Sequence, residues 1–214
     1  MFTHLKHKLL LCFVLLNLTA CSIIKPKEQA SAHHADNHTD AATLHDQHMA
    51  IIKNIQQFSL KGRLGVTSTP KSFSGRIGWQ HTSENDHIDV FSPLGAKVAN
   101  IIKTAVDVTL TNSKNELISA PDIETLTEET LGFKLPLDGL SYWALGRPSD
   151  SKLVEYVTWD NEGRIIELKQ NGWDIQYDDY TMNDGYFLPR KTTLKSETLV
   201  IKLIVEKWAR IKTP

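Results

Sequence analysis

From Phe58 onward the chain reads with a period of two, and that alternation confines it to sheet structure. In "FSLKGRLGV" one face is Phe58, Leu60, Leu64 and Val66, and the other is Ser59, Lys61 and Arg63. "SFSGRIGWQ" sets Phe73, Ile77 and Trp79 against Ser74, Arg76 and Gln80. "HIDVFS" adds Ile88 and Val90, "ANIIK" continues, and "AVDVTLTN" contributes Val106, Val108 and Leu110. Alternation returns near the C-terminus: Leu168, the trio Trp173, Ile175 and Tyr177, and then Leu199, Ile201, Leu203 and Val205. Such alternation marks antiparallel strands with one apolar face. Asn171-Gly172 is a type I′ hairpin signal, and Asn161 to Gly163 forms a second tight turn. Counting yields about nine to eleven strands, a number at which a twisted sheet curls on itself. The interior is then either a filled core or an apolar pocket.

Three segments break the alternation. Residues 43–57 place Leu44, His48, Ile51, Ile52 and Ile55 at helical spacings, with Asp40 or Thr43 as a cap. In "APDIETLTEETLG", Pro121 suits a first helical turn, and Asp122 and Glu124 suit its positive end. Ile123, Leu126, Thr127, Thr130 and Leu131 share a face, and Gly132 is the stop. "PLDGLSYWALG" reads as another helix, with Leu140, Trp143 and Ala144 inward and Gly146 ending it. The expected class is therefore mainly β (α+β), with helices that cover the face of the sheet or plug its mouth.

The N-terminus carries a separate signal. "MFTHLKHK" is a short basic segment, and "LLLCFVLLNL" is apolar but too short to span a bilayer. "LTAC" then resembles a bacterial lipobox, which implies cleavage before Cys21 and a lipidated cysteine bearing S-diacylglycerol and an N-acyl chain. Residues 1–20 are thus expected as a cleaved lipoprotein signal, 21–42 as the lipidated cysteine and a flexible tether, and 43–214 as one folded domain. Ser22 after the cysteine favours the outer membrane by the enteric sorting rule. With Cys12 removed and Cys21 acylated, no disulfide can form, so the core must supply the stability. Loss of Lys6 and Lys8 moves the formal charge from −1 to −3, which does not suggest a nucleic-acid partner.

Catalytic patterns are lacking. Ser68 to Lys71 and Ser22 to Lys25 match Ser-x-x-Lys, but Pro70 sits inside the first, the second lies in the tether, and no Lys-Thr-Gly follows. There is no His-Glu-x-x-His, nucleophile elbow, phosphate loop or dinucleotide fingerprint. His33, His34, His38, His45 and His48 cluster without a partnering cysteine or fixed geometry, so no metal is expected. His81 and His87 lie in a polar stretch read as a loop, and Asp178 and Asp179 read as solvated acids at a strand end. The pattern is that of a binding protein, not an enzyme, and no cofactor beyond the lipid on Cys21 is implied.

One turn stands out. In "FSPLGAK", Pro93 and Gly95 frame Leu94, at a tip where polar residues are usual. The leucine either folds back onto the sheet or faces outward.

The stretches "GRLGV", "FSGRIGWQ", "DVFSPLGAKVA", "LGFKLPLDGLSYWALGRP", "QNGWDIQYDDY" and "LVIKLIVEKW" follow one another in that order behind the lipobox. Together, over about residues 50–208, they resemble the LolB family of outer-membrane lipoprotein receptors. The histidine-rich tether departs from it. The resemblance implies an incomplete antiparallel β-barrel of about eleven strands, with helices covering an apolar interior that holds acyl chains. It implies a periplasmic-face, lipid-anchored protein that accepts lipoproteins from the carrier LolA and inserts them into outer-membrane phospholipid without nucleotide hydrolysis. A monomer is expected. Leu94 matches the family's membrane-inserting leucine, with Pro93 and Gly95 as its frame and Phe91 beside it. Ile77, Trp79, Ile88, Val90, Trp143, Leu168, Trp173 and Ile175 are the expected cavity residues; a cavity wall and a packed core share this pattern, so both readings stand. The competing class is an outer-membrane-anchored structural or envelope-assembly lipoprotein with a filled core and no transfer activity. An envelope hydrolase is a third, without a residue to nominate. A Cys21→Ala chain should incorporate no labelled palmitate and should lose its membrane association; retained labelling would refute the lipobox reading.

Overall fold

A computed structural model of the chain describes residues 33–69 and 71–214. The signal segment, Cys21, most of the tether and Pro70 lie outside the described residues. Helix α1 (His33–Ile52) leads into β1 (Gln57–Ser68), β2 (Ser72–His81), β3 (Asp86–Phe91), β4 (Lys97–Lys103), β5 (Val108–Asn112) and β6 (Leu117–Ala120). Helices α2 (Ile123–Leu131) and α3 (Leu137–Ala144) follow, then β7 (Val154–Trp159), β8 (Ile165–Gln170), β9 (Trp173–Asn183), β10 (Tyr186–Lys195) and β11 (Leu199–Lys212).

All eleven strands form one antiparallel sheet in the order β6-β5-β4-β3-β2-β1-β11-β10-β9-β8-β7. Two meanders, β1–β6 and β7–β11, are joined through the pairing of β1 with β11, the longest strands. The edge strands β6 and β7 do not pair with each other, so the sheet is not closed. The segment carrying α2 and α3 leaves one edge and enters the other.

The alternating residues expected to face inward do so. Phe58, Leu60, Leu64 and Val66 of β1 are buried, as are Ile77 and Trp79, Ile88, Val108 and Leu110, and Leu199, Ile201, Leu203 and Val205. Val106 does not join them: it sits in the turn before β5 and is 90% exposed. On β11 the phase changes after Val205. Gly62 lies opposite Val205 and Lys61 opposite Lys207, leaving Glu206 as an extra residue. This bulge turns Trp208 inward in place of Lys207. Glycine is required opposite it, because a Cβ on Gly62 would fall 2.2 Å from the Ile204 carbonyl oxygen. The Asn171-Gly172 hairpin has φ of 54° and 75°, the double positive pair of a type I′ turn.

Helix α1 differs from its expected span. It starts at His33, inside the stretch read as tether, and ends at Ile52, so Asp40 and Thr43 are internal and not caps. The buried stripe is Ala41, Met49 and Ile52, with His45 and His48 half-buried; Leu44 and Ile51 face solvent at 40% and 52%. The stripe is displaced because α1 docks by its histidines. His45 stacks on Trp159 at 4.2 Å between ring centroids, and its Nδ1 meets the Gly163 carbonyl at 2.9 Å. In α2 the cap is Asp122, which accepts from the Thr125 N–H at 2.8 Å, so Pro121 precedes the helix. Gly132 ends it at φ 83°.

His48 makes this docking pH-sensitive. Its Nε2 is buried with no hydrogen-bond partner among the described residues. Burial, then the nearby His45 and Arg164, hold its pKa below the ordinary imidazole value; Asp160 opposes them. The unfolded chain therefore takes up a proton near pH 6.5 that the folded chain resists, so stability falls as pH drops below about 6.5. His48→Leu should flatten this fall in the urea midpoint between about pH 6.5 and pH 5; an unchanged slope would place the effect elsewhere.

Candidate functional site

The interior under the helices is filled in one half and open in the other. Beneath α2 and the α2–α3 connection lies a cavity of about 530 Å3. Its sheet wall comes from β1 to β4: Leu64, Phe73, Ile77, Trp79, Ile88, Val90, Val98, Ala99 and Ile101. Its other wall is Thr130, Leu131, Phe133, Leu135, Leu137 and Leu140. Besides the Trp79 indole N–H, its polar side chains among the described residues are Lys71, Ser72 and Thr130. The connection is pinned over this space by Thr127, whose hydroxyl donates to the Ile123 carbonyl at 2.8 Å and accepts from the Leu135 N–H at 2.9 Å. Lys103 reaches Asp138 at 2.9 Å and ties α3 to β4.

Trp79 is held in this wall by a buried polar cluster. Its indole N–H donates to Asp86 Oδ1 at 2.8 Å, and His81 Nδ1 meets the same oxygen at 2.7 Å. Phe58 packs edge-on to Trp79 at 5.1 Å and stacks on His81 at 4.9 Å. His81 and His87 thus sit on β2 and β3, correcting the loop expectation. The tight Thr82–Asn85 turn brings Asp86 directly across from His81.

Four of the eight expected cavity residues line this space: Ile77, Trp79, Ile88 and Val90. Trp143, Leu168, Trp173 and Ile175 do not; they are buried in the packed half, over β8 and β9. Trp143 lies 6.1 Å from Trp173, and a Cβ on Gly139 would be 2.5 Å from its ring. Its N–H donates to Gln170 Oε1 at 2.9 Å, and its carbonyl accepts from Tyr177 at 3.0 Å. Gln170, fully buried, also accepts from the Ser149 N–H and donates to the Ser149 and Lys152 carbonyls. This network clamps the chain after α3 onto β8. Asp86, Gln170, Ala99 and Phe133 were not singled out by the sequence, and Phe73, read there as an inward strand residue, was not among the expected cavity residues. A lone Gln or Asp in a strand carries no sign of its partners, and Phe133 follows a helix stop.

The turn between β3 and β4 presents Leu94 to solvent at 98%, the most exposed large apolar residue among those described. Gly95 has φ 90° and donates its N–H to the Ser92 carbonyl at 2.9 Å. Ser92 N–H donates to the Ala96 carbonyl at 2.8 Å, and Ser92 Oγ accepts from the Ala96 N–H at 3.2 Å. Ser92 joins Pro93 and Gly95 as the frame. Phe91 is half-buried, with the Lys97 ammonium 5.9 Å from its ring.

Among the described residues no group of three or more His, Cys, Asp or Glu could hold a metal ion. Asp178 and Asp179, expected as strand-end acids, sit within β9 and pair with Lys191 and Arg190.

Residues 56–208 match the family model described as "Outer membrane lipoprotein LolB". The chain belongs to the LolB family. It is 35% identical over 164 residues to the outer-membrane lipoprotein LolB of Nitrosomonas europaea, covering 76% of each chain. It is 36% identical to the LolB of Thiobacillus denitrificans, over 71% of this chain and 79% of that one. The LolB of Pseudomonas fluorescens Pf0-1 aligns at 29% identity over 95% of this chain and 96% of its own. The fold is also similar to a LolA-superfamily protein from Nitrosomonas europaea, with a TM-score of 0.50, 8% identity, and coverage of 81% of this chain and 94% of that one.

Removing Asp86 should unseat the LolB cavity wall. Asp86→Ala leaves the buried Trp79 N–H unpaired, at a cost of about 1–3 kcal/mol. The expected result is a lower urea midpoint and a shifted tryptophan emission; an unaltered midpoint would mean that Trp79 is held by packing alone.

Proposed function

We propose that this chain accepts lipoproteins from a LolA-type periplasmic carrier and delivers them into the outer membrane, to which Cys21 anchors it. The observation that carries this reading is the apolar cavity of about 530 Å3 in a chain of the LolB family. Its size falls within the roughly 300–1,000 Å3 of small-ligand pockets. An acylated protein cannot cross water alone, because each exposed methylene costs about 0.8 kcal/mol. The receptor must bind acyl chains, but more weakly than the membrane does. A partly open cavity roofed by a connector meets that demand better than a close-packed one, because fewer atoms touch the bound chain.

Release calls for a group that engages the bilayer. Leu94 points into solvent on a hydrogen-bonded turn, and burying it in lipid contributes about 1.5–3 kcal/mol. That energy biases orientation and is far below what anchoring requires, which is the role assigned to the lipid on Cys21.

The test uses the soluble domain with Cys21 replaced, incubated with a carrier loaded with lipoprotein. The parent domain should take up the cargo. Ala99→Phe fills the cavity and should reduce uptake about tenfold, roughly a 1.4 kcal/mol loss of binding, while circular dichroism stays unchanged. In the anchored chain, Leu94→Glu should leave uptake intact and slow delivery into membranes about tenfold, in line with losing one buried leucine. No uptake by the parent domain would favour an envelope lipoprotein without transfer activity; delivery at the parent rate by Leu94→Glu would remove the leucine's role.

A further inference from the structure

A second depression, of about 740 Å3, lies at the solvent-exposed positions of β1, β2 and β11 that alternate with the buried ones. Gly78 leaves its floor open: a Cβ there would meet nothing within 4 Å. Lys61, Arg76, Lys207 and Arg210 line it, and Gly95 of the Leu94 turn belongs to its wall. Strand register gathers these cations. Lys61 lies opposite Gly78 on one side and Lys207 on the other, and Arg76 lies opposite Phe91, just before the turn.

The acids that line the groove are already engaged. Glu206 pairs with Arg63 at 3.0 Å, and Asp89 pairs with Lys97 at 2.7 Å and accepts from Asn100 at 2.8 Å. Those bonds hold the Asp89 carboxyl below its usual pKa against a desolvation that would raise it. Arg210 donates to Gln80 at 3.1 Å. Lys61, Arg76 and Lys207 have no acidic partner among the described residues. Lys61 and Lys207 face each other across a ladder, a like-charge pair that destabilises a sheet. A cationic surplus is thus concentrated on one face of a chain whose formal charge is −1.

We infer that this groove holds the phosphate of an anionic phospholipid headgroup while Leu94 enters the apolar layer beneath it. The inference rests on the membrane role of Leu94 proposed above. Continuity selects lipid over an acidic protein: the turn that presents a fully exposed leucine borders the cationic groove through Gly95, and a membrane surface offers apolar chains and phosphates side by side. A guanidinium suits a phosphate because its planar fork donates two parallel hydrogen bonds. A cation near an anionic surface gains roughly fivefold in affinity, so anionic headgroups should outcompete zwitterionic ones.

The lipidated full-length chain, reconstituted in phosphatidylethanolamine vesicles with or without phosphatidylglycerol, provides the test. Exposed lysines are acetylated and their rates read by mass spectrometry. With phosphatidylglycerol, Lys61 and Lys207 should react several-fold more slowly, by roughly the fivefold expected per cation, while Lys53 and Lys152, which do not line the groove, react equally in both. Arg76→Gln should remove most of that protection. Equal rates in the two vesicles overturn the groove assignment and leave the Leu94 reading to its own delivery assay. Protection that persists when Leu94→Glu delivers normally supports the groove and overturns only the role of Leu94. Protection by inorganic phosphate alone, or only by added polyglutamate, assigns the groove to a free anion or an acidic protein and overturns the lipid assignment.

Discussion

The pairing of β1 with β11 is the contact on which the rest depends. It joins two meanders from opposite ends of the folded domain through one long ladder, from Gln57 with Lys212 to Ser68 with Leu199. Contacts of such sequence separation carry a loop-closure entropy that must be met before they stabilise the fold. Once made, they place β6 and β7 at the two free edges and oblige the connection between them to pass over the apolar face. The helices roof the interior because the chain has no shorter way from one edge to the other.

That roof is fastened unequally, and the inequality makes the site. Behind α3, Gln170 meets four polar partners and Trp143 fills the space above Gly139, so the chain after α3 is fastened to β8. Over β1–β4 the connector is held by Thr127 and by the Lys103–Asp138 pair, and side chains meet across a gap. The packed side carries the larger network of buried side-chain hydrogen bonds, centred on Gln170, whereas the wall over β1–β4 is mostly apolar apart from the cluster of Trp79, His81 and Asp86. A closely packed half and a half that encloses an apolar cavity thus share one sheet, and the cavity is the part that the proposed binding of acyl chains would use.

The two faces of the same strands divide the proposed work. Trp79 and Ile77 look into the cavity, while Arg76 and Gly78, one position away, look into the cationic groove. The β3–β4 turn borders the groove and presents Leu94 beyond it. The proposed cargo site and the proposed membrane-facing surface therefore lie on opposite faces of the same strands.

Much of the architecture was legible in the chain itself. The period of two fixes which side chain of a strand points inward, because successive Cβ atoms alternate by geometry alone, and Leu60, Trp79 or Ile201 obey it. The Asn-Gly hairpin and the Gly132 stop were equally readable, since each needs a positive φ that few residues accept. So was the oddity of Leu94, a leucine between two turn formers. Other features depended on partners distant in sequence. The face of α1 was misread because His45 docks on Trp159 and Gly163, more than a hundred residues away. The bulge that turns Trp208 inward requires Gly62 across the ladder. Whether a buried tryptophan walls a cavity or fills a core depends on what stands opposite it: for Trp79 the α2–α3 connector across a gap, for Trp143 its own Gly139 and Gln170. Within the strands, periodicity alone fixed most of the buried side chains; the tertiary structure decided the exceptions, such as the face of α1 and Trp208, and where burial left empty space, because packing is a property of facing surfaces and not of either strand or helix alone.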